Sequence, residues 1–171
     1  MRIERDTWDL IVLDGESGKA IPGDFDNDGR TEIVSGPRWF RPATFEKGAI
    51  SNGLALRCVG ATAGDLDGDD VPEVIGSTRR DTEDGREFYA LYWYEPQGTL
   101  SDPWIAHQIC GEAIGQPHDI VVADVDGDGR NELIVVRMYI ATPSVTIYKP
   151  GDDPTAPWQP FVVQTGVSAD G

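Results

Sequence analysis

Apolar residues in this chain come in short runs bounded by turn residues, and no run keeps a helical period. Trp8–Leu13, Trp104–Ile109 and Trp158–Val163 each open on tryptophan. Phe88–Tyr94, Ile120–Val122, Leu133–Val136 and Val145–Lys149 are rich in β-branched and aromatic residues. Such runs predict short strands, and 20 glycines and 12 prolines supply the turns between them. The fold class is therefore all-β.

The tryptophans also set a period. Trp104 and Trp158 are 54 residues apart, and Trp8 and Trp104 are 96 apart, or twice 48. A period near 50 with several short strands in each repeat predicts propeller blades. The repeats parse as residues 18–58, 59–110 and 111–164, within a single segment spanning 1–171. An orphan strand over 1–13 precedes them, and a truncated repeat start over 165–171 follows. The first repeat holds Trp39-Phe40 and the run around Leu54–Cys58, and the second holds a charged insertion over Arg79–Glu87.

Each repeat carries one nine-residue acidic stretch: Asp24–Glu32, Asp65–Glu73 and Asp124–Glu132. Aspartates stand at positions 1, 3 and 5 and glutamate at position 9. Position 2 is apolar (Phe25, Leu66, Val125), and an apolar pair follows each loop. Like charges this close repel, and an ordered loop holds them together around a cation. Oxygen ligands on a flexible acidic loop favour calcium over magnesium. The expected cage is Asp24, Asp26, Asp28, the Arg30 carbonyl and Glu32 in the first loop. In the second it is Asp65, Asp67, Asp69, the Val71 carbonyl and Glu73, and in the third Asp124, Asp126, Asp128, the Arg130 carbonyl and Glu132. That gives about three structural Ca2+ ions. The helix–loop–helix calcium hand is excluded. Its bidentate glutamate at position 12 is replaced here by Ser35, Gly76 and Val135, and the flanks read as strands. Glycine stands at position 6 in the first and third loops, where the backbone turns sharply. Asp70 replaces it in the second, which is expected to weaken that site somewhat.

The three loops, the stretch His118–Val136 and the aromatic run Tyr92-Trp93-Tyr94-Glu95-Pro96 resemble the FG-GAP/VCBS family of calcium-binding β-propeller repeats over nearly the whole chain. The resemblance implies blades of four antiparallel strands around a central channel, with the metal loop between the two innermost strands. It leaves function open, because such repeats serve integrins, lectins, lyases and sugar dehydratases alike. Closed propellers need at least about four blades, and three are counted here. The expected partners are therefore the remaining blades or other copies of the chain, besides a carbohydrate or protein ligand.

Composition narrows the classes further. The net charge is −16, and the loops hold thirteen of the 30 acidic residues. Three calcium ions would leave −10, which excludes binding to nucleic acid through its phosphates. No run approaches the ~20 apolar residues of a membrane span. Cys58 and Cys110 read as small buried apolar residues, with a disulfide as the alternative. The family and its calcium supply point to an extracellular or secreted protein, although no signal core stands at Met1–Asp6.

Arg38, Arg79 and Arg137 fall 14, 14 and 13 residues after the first aspartate of their loops, with Arg41, Arg80, Tyr139 and His118 close by in sequence. A basic, aromatic rim at the channel mouth would grip carboxylates or sugar hydroxyls. The alternative is that these arginines pair with the chain's many acids. His118 reads as a general base, a metal ligand, or a histidine bonded within a turn, with Asp119 placed to orient it. His107 reads as structural. The leading function is a calcium-stabilised scaffold binding carbohydrate or protein. The alternative is part of a polysaccharide lyase or sugar dehydratase, with His118, Arg137, Arg79 and Arg38 as catalytic candidates.

Overall fold

The computed structural model describes residues 19–50, 57–138 and 143–165. Their strands form three four-stranded antiparallel sheets, and no described residue is helical. The first sheet is β1 (Ile21–Gly23), β2 (Glu32–Ser35), β3 (Arg38–Arg41) and β4 (Glu46–Ala49). The second is β5 (Arg57–Gly64), β6 (Glu73–Asp81), β7 (Glu87–Glu95) and β8 (Ile105–Ile114). The third is β9 (Gln116–Ala123), β10 (Glu132–Met138), β11 (Ser144–Lys149) and β12 (Gln159–Thr165). Strand order within each sheet is chain order, so every sheet is a meander.

The sheets pack face to face in an open stack, and the side-chain period of two explains how. On β6 and β7, Val74, Tyr92 and Tyr94 face the first sheet, where they join Ile21, Phe25, Val34, Trp39 and Trp104. Their neighbours Ile75, Leu91 and Trp93 point the other way and meet Ile120, Leu133, Val135, Tyr148 and Trp158. Both faces of the middle sheet are buried, so its strands read as continuous apolar runs rather than alternating ones. Each core also takes the position-2 residue of the preceding acidic loop. Phe25 lies 5.6 Å from Trp104 between ring centroids, and Leu66 shares a core with Trp158. Both tryptophans anchor themselves alike: Trp104 Nε1 donates to the Leu100 carbonyl at 3.3 Å, and Trp158 Nε1 to the Pro154 carbonyl at 2.8 Å.

The first strands of the second and third sheets approach closely, and glycine permits it. A Cβ on Gly60 would sit 2.2 Å from the Pro117 carbonyl oxygen, and Gly60 has φ +73°. A Cβ on Gly64 would meet Val122 at 2.7 Å.

The charged stretch Arg79–Glu87 is an extension of the β6–β7 hairpin, with Arg79 paired to Tyr89 and Asp81 to Glu87 in register. Arg57 and Cys58 open β5 and so belong to the second sheet, while 51–56 lie outside the described residues. The strand expected over 1–13, with Trp8, also lies outside them, as do Tyr139 and 166–171. Cys110 is a free, half-buried thiol.

Candidate metal centre

Each acidic stretch is the turn of an antiparallel hairpin, joining β1 to β2, β5 to β6 and β9 to β10. The backbone is left-handed at position 4 in all three (Asn27 φ 55°, Gly68 φ 89°, Gly127 φ 79°) and again at position 6 (Gly29 φ 82°, Asp70 φ 68°, Gly129 φ 88°). Asn and Asp enter this region more readily than other residues with a Cβ, so Asn27 and Asp70 take the same turn as glycine. The demand at position 4 is legible in the sequence only as Asn, Gly and Gly at one place.

The same hydrogen bonds shape all three loops. The position-1 aspartate accepts the backbone N–H of position 6 from across the turn: Gly29 to Asp24 at 2.9 Å, Asp70 to Asp65 at 3.2 Å, Gly129 to Asp124 at 3.0 Å. The position-5 aspartate accepts the N–H of position 7, at 2.9 Å in Asp28, 2.8 Å in Asp69 and 2.9 Å in Asp128. The position-9 glutamate accepts the N–H of position 2: Phe25 to Glu32 at 3.2 Å, Leu66 to Glu73 at 2.7 Å, Val125 to Glu132 at 2.8 Å. All three glutamates are buried. The third loop also touches the second, since Asn131 Nδ2 donates to the Asp65 carbonyl at 2.7 Å.

Carboxylate oxygens converge accordingly. Asp65, Asp67, Asp69 and Glu73 place theirs within 4.8 Å of one another. Asp24, Asp26 and Glu32 do the same, as do Asp124, Asp126 and Glu132. Asp28 and Asp128 fall outside these groups, although both sit in the expected turn.

The strand opposite the glutamate separates the loops. One step beyond the Ile33–Phe40, Val74–Tyr94 and Leu133–Tyr148 pairs, the third strand presents Arg41, Glu95 and Lys149 to Glu32, Glu73 and Glu132. Arg41 pairs with Asp26, with Glu32 at 3.3 Å and with Glu46 at 3.0 Å. Lys149 pairs with Asp126, with Asp128 at 2.9 Å, and lies 3.5 Å from Glu132. Among the described residues no lysine or arginine makes an ion pair with Asp65, Asp67, Asp69 or Glu73. Burial, reinforced by Asp67, Asp69 and Asp65, pushes the Glu73 carboxyl up to about 8. Burial and Asp69 raise Asp67 also, with Glu95 contributing. Lys149 lowers Asp128 instead.

The donor set fits a hard divalent cation. It is all oxygen, and the buried Oε1 atom of Glu73 has no hydrogen-bond partner while the other oxygen is held by Leu66 N–H. Asp26 Oδ1 and Glu132 Oε1 are also buried without hydrogen bonds.

With loops, registers and Trp-capped fourth strands in place, the match to known repeats has a structural meaning. Residues 80–135 match the family model of the FG-GAP-like repeat. The chain carries an FG-GAP-type repeat. The matched stretch runs from Arg80 in β6 through the third loop to Val135 in β10, so one sheet passes into the next within it. No curated protein matches the chain.

The other candidates lie apart from the loops. Arg79 pairs with Asp81 and, at 2.7 Å, with Glu87. Arg80 pairs with Glu112 across the same sheet. Arg137 is buried and donates to the Gly115 carbonyl at 3.0 Å and the Tyr148 hydroxyl at 3.3 Å. Arg38 opens β3 opposite Ala49. His118 Nδ1 lies 2.9 Å from Asp119 Oδ2, on a side chain 39% exposed. His107 stacks on Trp93 with centroids 4.2 Å apart and places Nε2 2.8 Å from Glu95 Oε2. Sequence reasoning passed over Arg41, Glu95 and Lys149 as parts of the loop sites. Their signal was the charge that directly follows an aromatic residue in Phe40-Arg41, Tyr94-Glu95 and Tyr148-Lys149.

Proposed function

We propose that the chain is a calcium-stabilised β-propeller scaffold segment that binds carbohydrate or protein ligands. Glu73 carries this reading: a buried carboxylate oxygen without a hydrogen-bond partner faces three aspartates and, among the described residues, no cationic side chain. The loop aspartates, the position-9 glutamates and the carbonyls of Arg30, Val71 and Arg130 would hold the ions. A bound ion supplies charge neutralisation and pins the hairpin turn.

Stacked four-stranded sheets, each with its loop between the first two strands, support reading them as blades. The third sheet supports the need for partners. Its outward row Val121, Ile134, Ile147 and Phe161 pairs across four strands, and Val121 and Phe161 are both 52% exposed. A further blade or another copy of the chain would cover that row. Residence outside the cell fits the repeat family, typical of extracellular and surface proteins. The scaffold reading is favoured over a lyase or dehydratase because Arg137 and Arg79, two of the expected catalytic cations, are engaged in structural contacts.

Thermal unfolding with and without a calcium chelator tests this. One ion at 100 times its Kd adds ~2.7 kcal/mol, which in a chain of this size is roughly 5–10 °C. A melt unchanged by chelation would overturn structural calcium.

A further inference from the structure

The three loops share a motif but not a surrounding, and the difference lies in one residue per sheet. We infer that the third-strand residue facing the cage glutamate decides which loop takes a divalent cation: the second loop, faced by Glu95, is the high-affinity site, and Arg41 and Lys149 act as resident cations in the first and third. This rests on the calcium reading and sharpens it.

Charge points the same way in each loop. The first has four carboxylates and the Arg41 guanidinium, which bonds Asp26 and Glu32. The third has four carboxylates and the Lys149 ammonium, which reaches Asp126, Asp128 and Glu132. Those are oxygens a metal would use, so a divalent ion entering either loop must break charge-assisted hydrogen bonds and sit beside a like charge. The second loop has five carboxylates, counting Asp70, and Glu95 adds a sixth. His107, at 2.8 Å, and Gln97, whose Nε2 donates at 2.8 Å, hold Glu95 in place. Glu95, Asp69 and Glu73 line one cavity, and the unpartnered Glu73 oxygen is buried beside it.

Loop sequence alone ranks the sites otherwise, because Asp70 stands where the other two have glycine. Asp70 nevertheless takes the same left-handed turn, at φ 68°, in a region that Asp enters more readily than other residues with a Cβ. Ligand charge count then sets the order, and the second loop should bind roughly tenfold or more tightly than the others.

Calorimetric titration of the chelated full chain with Ca2+ tests this, with circular dichroism to verify the fold of each variant. We expect one tight equivalent in the parent. Glu95→Lys should abolish it, and Glu95→Gln, which keeps partners for His107 and Gln97, should weaken it severalfold. Lys149→Glu should add a second tight equivalent; Lys149→Met, which removes only the charge, serves the same purpose if the glutamate variant fails to fold. Equal equivalents in all three loops, indifferent to residues 95 and 149, would overturn the inference and leave structural calcium standing. No binding at all would overturn both.

Discussion

The second and third sheets are built to one plan and end in different circumstances. Both begin with the same acidic hairpin, follow it with two apolar residues, and open the fourth strand after a buried tryptophan. In the second sheet Leu66, Ile75 and Trp93 face a neighbour and are buried, whereas in the third the matching Val125, Ile134 and Ile147 face outward. Val125 is 46% exposed where Leu66 is 4%. The loops diverge too: Glu95 stands beside one cage and Lys149 inside the other. A repeat motif therefore specifies the local turn, while the energetics of each copy come from the strand across and the sheet behind.

Matched substitutions would break this comparison most strongly. Ile75 and Ile134 are both ten residues after the first loop aspartate. Ile75→Ala should cost ~2–5 kcal/mol, as in a packed core. Ile134→Ala should cost less than half of that, about 1–2 kcal/mol, because its surroundings are partly solvent. Denaturant unfolding of the two variants measures both, and equal losses would mean the outward row is covered.

Removing the charge of the cage glutamate should give opposite signs in the two loops under chelation. Glu73→Gln relieves repulsion with Asp65, Asp67 and Asp69 and should raise stability by about 1 kcal/mol, while abolishing the gain from calcium. Glu132→Gln removes a carboxylate from Lys149 and should lower stability by a similar amount. Paired melts with chelator and with excess calcium read both effects. The smallest stability effect belongs to the exposed face. Val163, 61% exposed, corresponds to the buried Ile109. Val163→Asp should change stability by no more than ~0.5 kcal/mol. In sedimentation, any self-association through this face should fall in the variant.

Much of this was legible in residue order. Three copies of Asp-x-Asp-x-Asp with glutamate at position 9 specified a charged hairpin tip, and the β-branched runs beside them specified strands. Tryptophan spacing located the fourth strands at Ile105 and Gln159 to within one residue. The place of Arg41, Glu95 and Lys149 beside the loops is not legible in residue order, because they lie 9 to 22 residues from the glutamates they face and only antiparallel register brings them there. The arginine series at 38, 79 and 137 had regular spacing without a common environment. Arg137 is enclosed beside Tyr148, while Arg79 lies along the extended β6–β7 hairpin. Spacing along the chain says where a residue starts in its sheet; packing decides what it meets.

The central claim is that a divalent ion replaces mutual repulsion at the second hairpin tip. Anomalous difference density from crystals grown in calcium tests it most directly. The account predicts a strong peak within about 2.3–2.6 Å of oxygens from Asp65, Asp67, Asp69 and Glu73. An ordered second loop with no peak among those four side chains would contradict it.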